Sequence, residues 1–120
     1  MGATSYRDLE VWAKAMDVAE AIYDAAREMP KQEEYRLTAQ MIRAAVSIPA
    51  NIAEGHARAT RKDYAHFISI ARGSAAELET LIILAARAKH LPQERTEPLL
   101  SETERVARML NRLHARLKDA

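Results

Sequence analysis

A chain of 120 residues with net charge +1 and no cysteine has the length of one domain and offers no disulfide, thiolate metal site or cysteine nucleophile. Three Gly, four Pro and few aromatics argue against a β-sandwich or barrel, and 24 alanines point to closely packed helices. No apolar run approaches the ~20 residues of a membrane span and no signal-peptide pattern opens the chain, so a soluble, cytoplasmic, all-α domain with no membrane partner is expected.

The punctuation predicts four helices in a single domain over 1–120. Ser5-Tyr6-Arg7-Asp8 sets a capping residue three before an acid and predicts a first helix over 6–29, stopped by Pro30. The second covers 33–54, with Gly55 as a left-handed C-cap. Pro49 removes a backbone donor inside it and predicts a kink near Ser47, whose hydroxyl can bond the freed backbone groups; Asn51 flanks the proline on the other side. Thr60-Arg61-Lys62-Asp63 repeats the capping pattern and opens the third helix, 60–90, before Leu91-Pro92. The fourth covers 96–118, with Pro98 in the first turn, where its missing N–H costs nothing.

Helical periodicity then asks what each helix faces. On the last helix Leu99, Val106, Leu110, Leu113 and Leu117 fall within roughly 60° of arc, a single buried stripe. The apolar residues of the first helix spread over about 200°, and Leu81-Ile82-Ile83-Leu84-Ala85-Ala86 in the third is apolar on every side. An antiparallel up-and-down four-helix bundle buries one stripe per helix, so the surplus predicts a second apolar surface covered by another copy of the chain. Trp12, Met16, Ile22, Tyr23, Ile83 and Leu84 are the candidate subunit contacts.

Bundles often house metals, but the Glu-x-x-His pairs of a di-iron site are missing, and only Asp63 and His66 stand at ligand spacing. There is no His-Glu-x-x-His, phosphate-binding glycine loop or nucleophile elbow, so no catalytic residue, cofactor or metal ligand is assigned. Glu77 and Glu79 diverge by about 160° and cannot share one acid–base site. Glu77, near Ile70 and Leu84 on the wheel, is expected to be partly buried and paired to a neighbouring helix.

Charge is distributed in blocks: −3 over 1–55, +3 over 56–72, −3 over 73–104 and +4 over 105–120. Arg105, Arg108, Arg112 and Arg116 recur every three or four residues and form one stripe beside the leucine face. Arg58, Arg61 and Lys62 surround the start of the third helix, where backbone N–H groups add to an anion-friendly patch. Cations near a helix C-terminus also complement its dipole, which explains Arg112, Arg116 and Lys118 without a ligand. No aromatic residues interleave with either cluster, so contacts to nucleic acid would be to phosphates and sequence-tolerant.

Three strings resemble a known family. Tyr6-Arg7-Asp8-Leu9-Glu10-Val11-Trp12, the run from Leu37 to Gly55 that contains Ser47-Ile48-Pro49-Ala50-Asn51, and Gly73-Ser74-Ala75-Ala76-Glu77-Leu78-Glu79-Thr80 are similar to the four-helix-bundle proteins of the 23S ribosomal RNA intervening-sequence family. The resemblance spans roughly residues 6–90, and the last helix matches in pattern only. It implies short up-and-down bundles assembled as homopentameric rings and a non-enzymatic, RNA-associated scaffold in bacteria. A related group, the accessory proteins of diversity-generating retroelements, binds nucleic acid and a reverse transcriptase through a basic pentamer. The family's basic loop after the glycine is matched by Arg58, Arg61 and Lys62. Two functions follow as alternatives: a ring that binds the backbone of structured RNA or duplex DNA, or a scaffold that recruits another protein through its acidic first helix.

Overall fold

The computed structural model describes residues 5–119 and contains four α-helices, α1 (Glu10–Ala26), α2 (Leu37–His56), α3 (Arg61–Arg87) and α4 (Gln93–Lys118). Short 3₁₀ turns, Tyr6–Asp8 and Lys31–Glu33, precede α1 and α2, and no strand occurs among the described residues. Helix α1 packs against α2 and α4, and α3 packs against the same two, while the diagonal pairs lie farther apart. The bundle measures 45 × 21 × 20 Å. No helix among the described residues is long and apolar enough to cross a membrane.

The core runs along the middle of this square. Ile22, Met41, Ile48, Ile52, Ile68, Leu78, Ile82 and Leu110 are fully buried, each such side chain stabilising the fold by about 1.5–3 kcal/mol. Ala15, Ala25, Ala45, Ala71, Ala75 and Ala85 are buried between them, which is how the alanine-rich composition lets helix axes approach closely. The leucine stripe of α4 behaves as its spacing predicts: Leu99, Val106 and Leu110 are buried, and Leu113 and Leu117 pack on the core's edge.

Several boundaries differ from the sequence expectation, each for a local reason. Ser5 caps a 3₁₀ turn, its Oγ accepting from the Arg7 N–H at 3.2 Å, and extended Leu9 (φ −80°, ψ 127°) separates that turn from α1. Tyr6 meets Trp12 edge-on at 5.3 Å between ring centroids, which folds the turn back onto the helix. Helix α2 starts at Leu37 instead of 33, because Arg36 (φ −121°, ψ −107°) breaks the backbone; the Glu33 carboxylate accepts from the Leu37 N–H at 3.4 Å. Helix α3 ends at Arg87, and Lys89 turns the chain with φ 65°. Helix α4 begins at Gln93, so Pro98 lies past its first turn and removes one intrahelical donor.

Gly55 is not a left-handed cap. No described glycine has positive φ, and α2 runs through Gly55 to His56. What this position needs is the absence of a side chain: a Cβ there would lie 2.9 Å from the Phe67 Cβ, 3.0 Å from Tyr64 Cδ1 and 3.2 Å from the Tyr64 carbonyl oxygen. At Gly73 a Cβ would meet nothing within 4 Å. Alanine improves helix propensity at either position by about 1 kcal/mol, but overpacking against α3 costs about 1–3 kcal/mol. Gly55→Ala should therefore lower the thermal midpoint and Gly73→Ala should raise it, as read by circular dichroism; equal shifts would contradict the packing at Gly55.

Pro49 is buried within α2. The Ser47 hydroxyl does not turn back to the backbone but bonds the Ser74 hydroxyl on α3 at 2.8 Å. Asn51 Nδ2 donates to the Ser47 carbonyl at 2.8 Å and to its Oγ at 2.9 Å. The polar groups around the proline thus tie α2 to α3.

Candidate nucleic-acid interface

Extended Thr60 (φ −119°, ψ 153°) starts α3 with its Oγ1 accepting from the Asp63 N–H at 3.1 Å, the cap predicted from the sequence. Arg61 and Lys62 therefore occupy the first turn of a helix whose leading N–H groups carry partial positive charge. The Arg61 Nη2 donates to the Arg116 carbonyl oxygen at 2.6 Å, near the end of α4. One guanidinium thus caps a terminal carbonyl of α4 and joins two basic blocks 55 residues apart. The charge of Arg116 also reaches Tyr64: burial pushes the phenol up, and Arg116 opposes that shift.

Arg58, Arg61, Lys62, Arg105, Arg108, Arg112 and Arg116 are all exposed. Arg58 is partly compensated, since it pairs with Glu54 at 3.0 Å and lies over the Phe67 ring at 4.6 Å. The other six form no ion pair among the described residues.

At the far end of α3 and α4, about 40 Å away by helix rise, four cationic or protonatable side chains have carboxylate partners. Arg95 bonds Glu28 at 2.6 Å and Asp24 at 3.4 Å, Arg27 pairs with Asp24, and Arg36 and His90 both reach Glu33. Lys31, Arg87 and Lys89 at this same end are in no ion pair among the described residues. The two basic blocks of the sequence meet at the opposite end, where Arg61 reaches Arg116. An excess of unpaired cations there raises the local concentration of an anionic ligand.

Of the candidate subunit contacts, Ile22 is a correction: it is fully buried in the chain's own core and cannot meet a second copy. Trp12 is half-buried against that core and Tyr6. Met16, Tyr23, Ile83 and Leu84 are exposed, at 39%, 53%, 43% and 50%, and Val46 and Ile70 join them as large apolar side chains in water. The over-wide apolar faces are thus left uncovered by the single chain. Val46 went unnoticed in the sequence because it sits within an alanine-rich helix whose outer face draws no attention.

Glu77 is exposed, not partly buried. Of the two, Glu79 is half-buried, and there burial and then Glu104 push the carboxyl up. Glu77 points outward because Leu78 and Ser74 take the inward positions of α3. Among the described residues no three His, Asp or Glu side chains converge as metal ligands. Sequence reasoning missed that His66, His114 and Lys118 line one open cleft of about 490 Å³ with Arg61 and Lys62. The two histidines lie 48 residues apart, and only their position beside the basic blocks could have flagged them.

The family model described as "23S rRNA-intervening sequence protein" matches residues 7–112. A protein of unknown function of the S23 ribosomal protein family from Bacteroides thetaiotaomicron has a similar structure, with TM-score 0.78 and 26% sequence identity. The match covers 83% of this chain and 94% of that one. None of the curated proteins matches.

Proposed function

Because the chain belongs to the 23S rRNA-intervening sequence protein family, we propose that it is a helical scaffold whose basic end holds the phosphate backbone of structured RNA or duplex DNA. The observation that carries this reading is the 2.6 Å bond from Arg61 to the Arg116 carbonyl, with the neighbouring cations unpaired. In this reading the helices run up and down, α2 bends at Pro49, and the exposed apolar faces close the chains into a homopentameric ring. Repetition around the ring axis turns weak single-chain contacts into avidity. The protein performs no reaction and uses no cofactor or metal.

The family name, which refers to 23S rRNA, makes RNA the first ligand to test. Gel-shift titrations at low salt with two unrelated structured RNAs and one duplex DNA should give affinities within about tenfold of one another, since phosphate contacts carry no sequence information. A single sequence preferred by more than about a thousandfold would overturn backbone binding. No binding to any of the three would favour a second reading, a protein-recruiting scaffold. That reading is supported by the exposed Met16 and Tyr23 on the same helix as Asp17 and Glu20.

A further inference from the structure

The first turns of α3 and the last turns of α4 enclose the open cleft lined by Arg61, Lys62, His66, His114 and Lys118. No carboxylate lines it, α1 and α2 contribute nothing to its wall, and Arg61, Lys62 and Lys118 are in no ion pair among the described residues. Gathering three fixed positive charges in one concave site costs free energy that a multivalent oxyanion relieves.

Behind the cleft, Arg72 reaches from α3 to α4, its Nε donating to Asn111 Oδ1 at 2.8 Å and its Nη1 lying 3.1 Å from His114 Nδ1. A guanidinium can only donate, so Nδ1 is the acceptor, and the neutral His114 ring carries its proton on Nε2. A second proton, on Nδ1, would break that bond and set an imidazolium against Arg72 and Lys118. Burial, then the charges of Arg72 and Lys118, hold this imidazole below its ordinary value. The charged groups facing it are Arg72, Arg61, Lys62 and, when protonated, His66 from α3, with Lys118 from its own helix.

We propose that this cleft seats one phosphate group, held by Arg61, Lys62 and Lys118, and that His114 becomes a cationic ligand to it when protonated. The proposal rests on the backbone-binding reading for the source of the phosphate but not for the site, which a free phosphate ion also fits. An anion in the cleft offsets the repulsion that keeps His114 neutral, so the bound state takes up a proton. The linkage sign follows: affinity rises as pH falls through the His114 pKa of the complex, and levels off below that of the free protein.

The test follows a short RNA duplex without terminal phosphates, and separately inorganic phosphate, between about pH 7.5 and about pH 6, using the full chain. Nuclear magnetic resonance of the His114 ring accompanies the affinity measurement. His114→Gln keeps an acceptor for Arg72, and His66→Gln controls for the other cleft histidine. RNA affinity should rise about threefold or more on acidification in wild type and His66→Gln, and not in His114→Gln, with the His114 titration moving upward on binding. RNA binding with the same pH profile in all three proteins would overturn the proposal and leave the backbone reading standing. A His114 shift with inorganic phosphate but no RNA binding would support the site and overturn the backbone reading. No binding and no shift with either ligand would overturn both.

Discussion

Replacing Arg108 and Arg112 together with glutamate should abolish nucleic-acid binding while leaving fold and assembly intact. Both side chains are exposed on α4, and neither has an acidic partner among the described residues. Leu110 between them in sequence is fully buried, and at about 100° per residue both arginines lie about 160° from it, on the outer face of α4. Each substitution exchanges a counterion-releasing cation for a charge that repels phosphate. A ring repeats that change in every subunit, and affinity at low salt should fall by about a hundredfold or more. Stability should change by no more than about 0.5 kcal/mol, as for surface sites that make no specific contact. Gel shifts, thermal melts and light scattering on the same preparation separate these outcomes. Equal binding by the double variant would remove α4 from the interface.

A second large effect is expected at the uncovered apolar face. Ile83 and Leu84 are 43% and 50% exposed on consecutive positions of α3, about 100° apart around the helix. Covering such a side chain stabilises an interface by about 1.5–3 kcal/mol, and burying a carboxylate in its place without a partner costs more than that gain. For the proposed homopentamer, light scattering of the wild type at micromolar concentration should report about five times the 13.5 kDa chain mass. Ile83→Glu with Leu84→Glu should report one chain mass with helicity retained, because both side chains already lie outside the single-chain core. RNA affinity should drop with it by about tenfold or more through lost avidity. A monomeric wild type would contradict the ring directly.

What could be read from the sequence divides along a physical line. The Thr60 cap and the α4 leucine stripe depend on contacts within one helix or on one repeating face, and both stand as the spacing predicts. Ser5 caps a 3₁₀ turn because the same local pattern serves either helix type, and the Tyr6–Trp12 contact decides between them. Gly55 misled for the opposite reason. Its role is set by Tyr64 and Phe67 on the next helix, and no property of the residues around Gly55 announces them. The charge blocks were visible as sums, but their convergence was not: it depends on Arg61 reaching Arg116 across 55 residues. The contact of Arg72 with His114, and the cleft that His114 and Lys118 share with Arg61 and Lys62, could not be read from either helix alone, because only the pairing of α3 with α4 creates them.

Backbone binding by the basic end has a signature that an apolar interface lacks, the steep loss of affinity with salt. The slope of log K against log salt approaches about −0.9 per phosphate neutralised on duplex DNA. The decisive measurement is therefore that slope for the wild type and for Arg108→Glu alone, with one duplex, by fluorescence anisotropy. Neutralisation of phosphates by the unpaired arginines predicts a steep negative slope for the wild type that becomes shallower by about one unit or more in the variant. A wild-type affinity that stays constant as salt rises, or the same slope in both proteins, would contradict it.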